Sequence, residues 1–298
     1  MSSTPTYLGE SLSLLVAVIW AFSVILFKKS GEKVDPIGLN LFKNSLAFVL
    51  FIPTIWLFDE TLFRPAPASD YLLLLASGAL GIGLADTFFF KSLNILGAGL
   101  YAIVDCLYSP FIIGLSILWL GETLTYWQIV GVMMIISAVL AVTGEKKHNH
   151  ADKRTILIGI GWGVLAVAAM AVGIVMIKPL LDRSPLLWAT EIRLAGGILF
   201  LLVVLWFHPS RRAIIQSVRS THRWVYTLSG SFLGAYISMA LWLGGMKYTQ
   251  ASTSAALNQT SNIFIFILAA IFLRERITVI RAFGITMGVA GALLVTFG

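Results

Sequence analysis

The sequence predicts an all-α integral membrane protein of about ten transmembrane helices, arranged as two inverted five-helix repeats. Three observations carry that expectation. Charged residues make up only 12% of the 298 residues, well below the ~25% of soluble domains. Hydrophobic residues make up 58%, and the mean hydropathy is +0.90. Finally, the chain matches itself when one half is laid over the other.

A bilayer core needs roughly 20 apolar residues per helix. Ten runs approach that length: 10–27, 37–58, 71–90, 97–119, 125–143, 156–177, 185–207, 223–243, 251–273 and 279–297. The first is read as a retained helix, because residues 1–10 hold no basic residue and a secretory signal needs a positive leader. The fourth run contains Pro110, which is expected to kink it just past a polar stripe. Gly159, Gly161 and Gly163 open the sixth run, and Gly284, Gly288 and Gly291 line the tenth. Small faces of this kind let helix backbones approach closely.

The one clear linker is Gly144 to Arg154, GEKKHNHADKR, which parts five runs from five. The expected organisation is therefore a first repeat over 1–144, a basic linker loop over 145–155 and a second repeat over 156–298. A shift of 153 lays Glu122 on Glu275, Gly131 on Gly284 and Thr143 on Thr296. A shift of 150 lays Lys28 on Lys178 and Lys43 on Arg193. With an odd number of spans in each half, the second runs inverted to the first. Duplications of this kind are a signature of transporters that hold their solute between the halves.

Charge placement narrows the function classes. The net charge of +7 comes from Lys and Arg at the ends of apolar runs, where they anchor helices, so nucleic acid is not the expected partner. The odd-numbered connections carry 15 Lys and Arg against 4 in the even-numbered ones, which on charge alone places both termini outside. The connection from His208 to Arg223 reads as a basic surface loop. Cys106 is the single cysteine, so a disulfide framework and multi-cysteine zinc motifs are excluded. His148 and His150 read as part of a solvated loop, with no metal and no cofactor expected. No HExxH, GxSxG or GxxxxGK[ST] occurs and no His lies inside a run, which argues against an enzyme and against ATP-driven pumping.

Polar groups inside apolar runs are costly and point to function. The fourth run carries Tyr101, Asp105, Tyr108 and Ser109, spaced to share one helical face. The ninth carries Ser254, Asn258, Ser261 and Asn262, each 153 residues after its counterpart. Both stripes lie near mid-bilayer, about 10–12 Å from the starts of their runs. They are expected either to line a central cavity with the solute or to bond helix to helix. Asp105 favours the cavity, since helix association does not require a carboxylate. Lys43 and Arg193 either snorkel to the surface, contact solute, or neutralise Asp86, Asp105 or Glu191. Trp20 and Asp86 complete the candidate binding residues, and Trp162 is a weaker aromatic candidate.

On these residues the chain resembles the drug/metabolite transporter superfamily, EamA-type, across essentially its whole length. The matching positions are Trp20, Lys28, Pro110, Gly121-Glu122, Gly131, Arg274-Glu275 and Gly284; Ile263 and Met170 depart from the family pattern. The resemblance implies a secondary transporter in the cell membrane that exports small polar metabolites such as amino acids by alternating access. Its partners would be a small-molecule solute and the bilayer. Efflux of organic cations is the alternative, and a channel or non-transporting scaffold a further one. The driving force would be a proton gradient through Asp105 or exchange, in a monomer or homodimer. The resemblance places both termini in the cytoplasm, against the charge count; a reporter fused to the C-terminus decides between them.

Overall fold

The computed structural model describes residues 7–120, 125–143, 152–248 and 257–297. Among these residues the chain consists of helices joined by turns and short loops, with no strand. Six helices are long and apolar enough to cross a membrane: α1 (Leu8–Gly31), α2 (Pro36–Leu57), α3 (Ala68–Leu96), α7 (Lys153–Val175), α9 (Leu186–Phe207) and α11 (Trp224–Gly245). Between and after them come α4 (Ala98–Asp105), α5 (Tyr108–Leu120), α6 (Tyr126–Thr143), α8 (Lys178–Asp182), α10 (Arg211–Arg219), α12 (Ser261–Phe272) and α13 (Val279–Phe297). Their outer faces present large apolar side chains such as Val49, Leu165, Leu199 and Leu202, all about half exposed or more, as lipid contact requires.

Helices from the first half pack on helices from the second. α1 lies on α11, α7 on α3, α2 on α9, and α4 on α12. The largest buried cluster therefore mixes the halves: Phe27, Phe90 and Ile103 share it with Ile265, Val289 and Val295. α6 and α13 meet backbone to backbone, where a Cβ on Gly131 would lie 2.6 Å from the Gly291 carbonyl.

Two local departures from α-geometry recur at matched places. π-helical turns occupy Ala79–Leu84 in α3 and Phe232–Ile237 in α11, 153 residues apart. Such turns leave carbonyls without their usual donors, and the gap must be closed from outside. In α3 the donor is Asn40 of α2, whose Nδ2 lies 3.0 and 2.9 Å from the Ile82 and Gly83 carbonyls.

The second departure falls in the fourth and ninth runs. The fourth breaks at Cys106–Leu107, one turn before Pro110, instead of bending after it. The proline has no N–H to offer the carbonyl of residue 106, which is compatible with a break upstream of it. In the ninth run Thr260 makes the matching turn, its N–H donating to the Leu257 carbonyl at 3.1 Å.

The stretch from His208 to Arg223 is more than a loop. It contains helix α10, held by buried Ile214 and by Val218 against the start of α2. Apolar residues four apart on an otherwise basic helix give it one face to bury.

Candidate functional site

Lys43 and Asp86 face each other from α2 and α3 and form an ion pair at 2.5 Å, with relative exposures of 5% and 6%. Of the partners the sequence left open to Lys43, the fold selects Asp86. The matched cation, Arg193 on α9, makes no carboxylate contact of that kind. Its Nε donates to Ser77 Oγ at 3.1 Å, and Ser77 donates onward to the Gly173 carbonyl. Neither cation snorkels to the surface; both are buried.

Asp105 ends α4. Tyr101, one turn earlier, donates its hydroxyl to Asp105 Oδ1 at 3.0 Å, and the Asn262 amide lies beside the same carboxylate. Because the helix breaks immediately afterwards, the stripe is split: Tyr101 and Asp105 belong to α4, Tyr108 and Ser109 to α5. Tyr108 is close enough to both Arg193 and Asp105 to interact electrostatically with each. Asp86 in turn acts on both Tyr101 and Arg193. The five groups Asp86, Tyr101, Asp105, Tyr108 and Arg193 thus make a largely buried polar ring in electrostatic range of one another, drawn from α3, α4, α5 and α9, in which Tyr101 and Asp105 share a hydrogen bond.

The facing stripe of the second half reaches the same place. Asn262 is fully buried; its Nδ2 donates to Gln259 Oε1 at 3.0 Å and lies 3.7 Å from Cys106 Sγ. Gln259 donates to Ser109 Oγ at 2.8 Å, which joins the two broken helices directly. Asn258 lies in the turn before Thr260, and neither polar atom of its side chain has a hydrogen-bond partner among the described residues. Ser261 is buried. Ser254, together with Gly121, Glu122, His148 and His150, lies outside the described residues.

Trp20 is half-buried among aromatics, with ring centroids 6.1 Å from Phe89 and 6.4 Å from Phe27. Phe89 lies 4.9 Å from Tyr101, so Trp20 backs the ring without joining it. Trp162 carries Lys91 over its face at 4.5 Å and stands apart from these residues. A surface cavity of about 330 Å³ lined by Lys33, Ser217, Ser220, Thr221, His222 and Arg223 also lies elsewhere, beside α10.

Asn40, Ser77 and Gln259 were not among the sequence candidates. Each is a neutral polar residue off the expected stripes, and Gln259 enters because the turn at Thr260 changes the phase of its helix. The only advance signal is a polar side chain inside an apolar run.

The apolar spans and the mixed packing of the halves define a multi-pass membrane protein. The chain belongs to the EamA-like transporter family, whose model matches it twice, over residues 7–144 and 157–297. An uncharacterized transporter of Archaeoglobus fulgidus is 24% identical over 288 residues, covering 95% of this chain and 96% of that one. The uncharacterized transporter YvbV of Bacillus subtilis is 25% identical over 211 residues, 68% of this chain and 64% of its own length. A solved crystal structure superposes with a TM-score of 0.69 at 17% identity, covering 96% of this chain and 95% of that one. That likeness concerns the fold.

Proposed function

We propose that the chain is a secondary transporter that exports small polar metabolites such as amino acids or related compounds. Two inverted five-helix halves, over 1–144 and 156–298, would rock about the ring and its facing amides, with the basic stretch 145–155 joining them. The observation that carries this reading is the allocation of charge. Lys43 and Asp86 form an ion pair, whereas Arg193 and Asp105 make no salt bridge among the described residues and both lie in electrostatic range of Tyr108. That spacing of a cation and an anion suits a zwitterion, with its carboxylate towards Arg193 and its ammonium towards Asp105.

The aromatic side of the ring supports one other reading. Tyr101 bonds to Asp105, Tyr108 lies in electrostatic range of it, and Phe89 packs edge-on against Tyr101, a setting that also suits an organic cation. Flux of radiolabelled amino acids and of a quaternary ammonium dye in vesicles separates the two. For a zwitterion carrier, Asp105→Asn and Arg193→Gln each reduce amino-acid counterflow by about thirtyfold or more, since removing one partner of a desolvated charge contact costs about 2–5 kcal/mol. For a cation carrier, Arg193→Gln leaves dye flux unchanged. Wild-type vesicles that show no saturable counterflow of any solute in the panel would refute both.

A further inference from the structure

Glu191 stands two residues before Arg193 on α9 but on another face. Its side chain is fully buried, and neither carboxylate oxygen has a hydrogen-bond partner among the described residues. It shares its face with Leu187, four residues earlier, and Leu194, three later. Those two pack against Ala47 and Phe51 of α2 and Ala235 of α11, with Tyr236 and Met239 alongside. The carboxyl therefore lies in an apolar seam where α9 and α11 of the second half meet α2 of the first.

The charged and titratable groups on the elements around this seam are all engaged elsewhere. Lys43 of α2 holds Asp86, and Arg193 is bonded to Ser77. Asp70 at the start of α3 pairs with Arg183 at 2.7 Å. Glu60, before α3, accepts the Trp188 N–H, and the Tyr236 hydroxyl of α11 is bonded to Thr54 at 2.8 Å. An ionised carboxylate so placed needs donors or a cation, and an apolar seam supplies neither. In this arrangement the acid holds its proton.

Asp105 is the opposite case. It has partners that Glu191 lacks: the Tyr101 hydroxyl donates to it and the Asn262 amide lies beside it. We propose that Glu191 is a proton-binding site separate from the solute ring, and that it couples transport to a proton gradient. The inference rests on the transporter reading above. The seam joins the two halves, so rocking them opens it. Opened to one compartment Glu191 takes up a proton, opened to the other it releases it, and the return without a proton is made only together with solute, so that proton flow is tied to solute flow.

The test uses the full chain in vesicles, with an internal pH-sensitive dye and a defined mixture of radiolabelled neutral amino acids. Glu191→Gln is expected to keep solute exchange within about twofold of wild type and to lose at least tenfold of the accumulation driven by a pH gradient, along with solute-dependent proton movement. Asp105→Asn is expected to lose exchange and accumulation together. Glu191→Asp, which keeps the carboxyl, retains coupling with a displaced pH profile; it also serves if the glutamine variant does not fold. Infrared difference spectra between two pH values are expected to show a carboxylic acid band absent in Glu191→Gln and present in Asp105→Asn. Gradient-driven accumulation at the wild-type level in Glu191→Gln, or no such band, overturns the proposal. Exchange without coupling in the wild type overturns it while sparing the transporter reading. Absence of any flux refutes that reading instead, and the infrared band still decides whether Glu191 binds a proton.

Discussion

Leu107 and Thr260 interrupt their helices at positions 153 residues apart, although only the first is followed by a proline three residues on. Leu107 donates its N–H to the Val104 carbonyl at 3.0 Å, and Thr260 repeats the bond with Leu257 at 3.1 Å. The turn is therefore set by what surrounds it. In both halves it brings polar residues from either side of the break to one place. Gln259, immediately before the second turn, bonds to Ser109, just past the first.

Pro110→Ala is accordingly expected to leave the break in place, since Ile263 at the matched position supports the same turn. The stability change in detergent should stay within about 1 kcal/mol, the scale of a proline's effect on the unfolded chain. Transport should remain within a few fold of wild type. A large loss of stability, or near-complete loss of transport at full expression, would mean that the proline itself holds the turn.

The Lys43–Asp86 pair should behave as a buried ion pair, costly to halve and cheap to remove whole. Lys43→Met or Asp86→Leu alone leaves one buried charge without its partner and is expected to destabilise by about 3–5 kcal/mol. The double variant is expected to recover most of that. Thermal unfolding of the three variants forms the cycle, and additive losses would show that the two residues do not act as a pair.

How far the sequence carries the structure depends on what each feature rests on. The long spans were legible because bilayer thickness imposes a length that composition reveals, as at Leu186–Phe207. The polar residues of the fourth run were legible, but the break at Leu107 that takes Tyr108 and Ser109 off the face of Tyr101 and Asp105 was not. The π-turns were not, because nothing in ALGIGL or FLGAYI departs from an ordinary apolar run; Asn40 meets the freed carbonyls of the first from another helix. The choice of Asp86 for Lys43 was also hidden. It depends on how α2 and α3 are turned against each other, which residue spacing within one helix does not reveal.

Glu275 links the halves by its side chain, which bonds to backbone of the first half. From the junction after α12 its carboxylate accepts the N–H groups of Ala98 and Gly99, at 2.8 and 3.0 Å, in the first turn of α4. Arg274 beside it adopts φ 55°, a left-handed conformation that turns the chain towards α4. This is a helix cap supplied from a distant part of the sequence, strengthened by negative charge at a helix N-terminus. Glu275→Ala should cost about 1–2 kcal/mol, and Glu275→Gln, which keeps one acceptor, less. Unfolding midpoints in detergent check the order; equal losses would show that the charge alone matters.

Gly78 tests whether the position of Arg193 is set by close packing of its backbone. α3 and α9 approach so closely there that a Cβ on Gly78 would fall 1.9 Å from the Arg193 carbonyl oxygen, and one on Gly196 would fall 2.2 Å from the Leu75 carbonyl. The obstacle in each case is backbone, which cannot rotate aside. Gly78→Ala must therefore push the helices apart, at about 1–3 kcal/mol for overpacking. Separation also draws the Arg193 guanidinium away from Ser77, next to residue 78, and from Tyr108 across the ring. If Arg193 binds solute, Gly78→Ala should raise KM for transport more than it lowers the maximal rate, in protein that still folds at the assay temperature. Gly114→Ala is the matched control, since no atom lies within 4 Å of the added carbon. If both variants behave like wild type in melting and in KM, the α3–α9 contact has more freedom than its geometry implies, and Arg193 is not held by it.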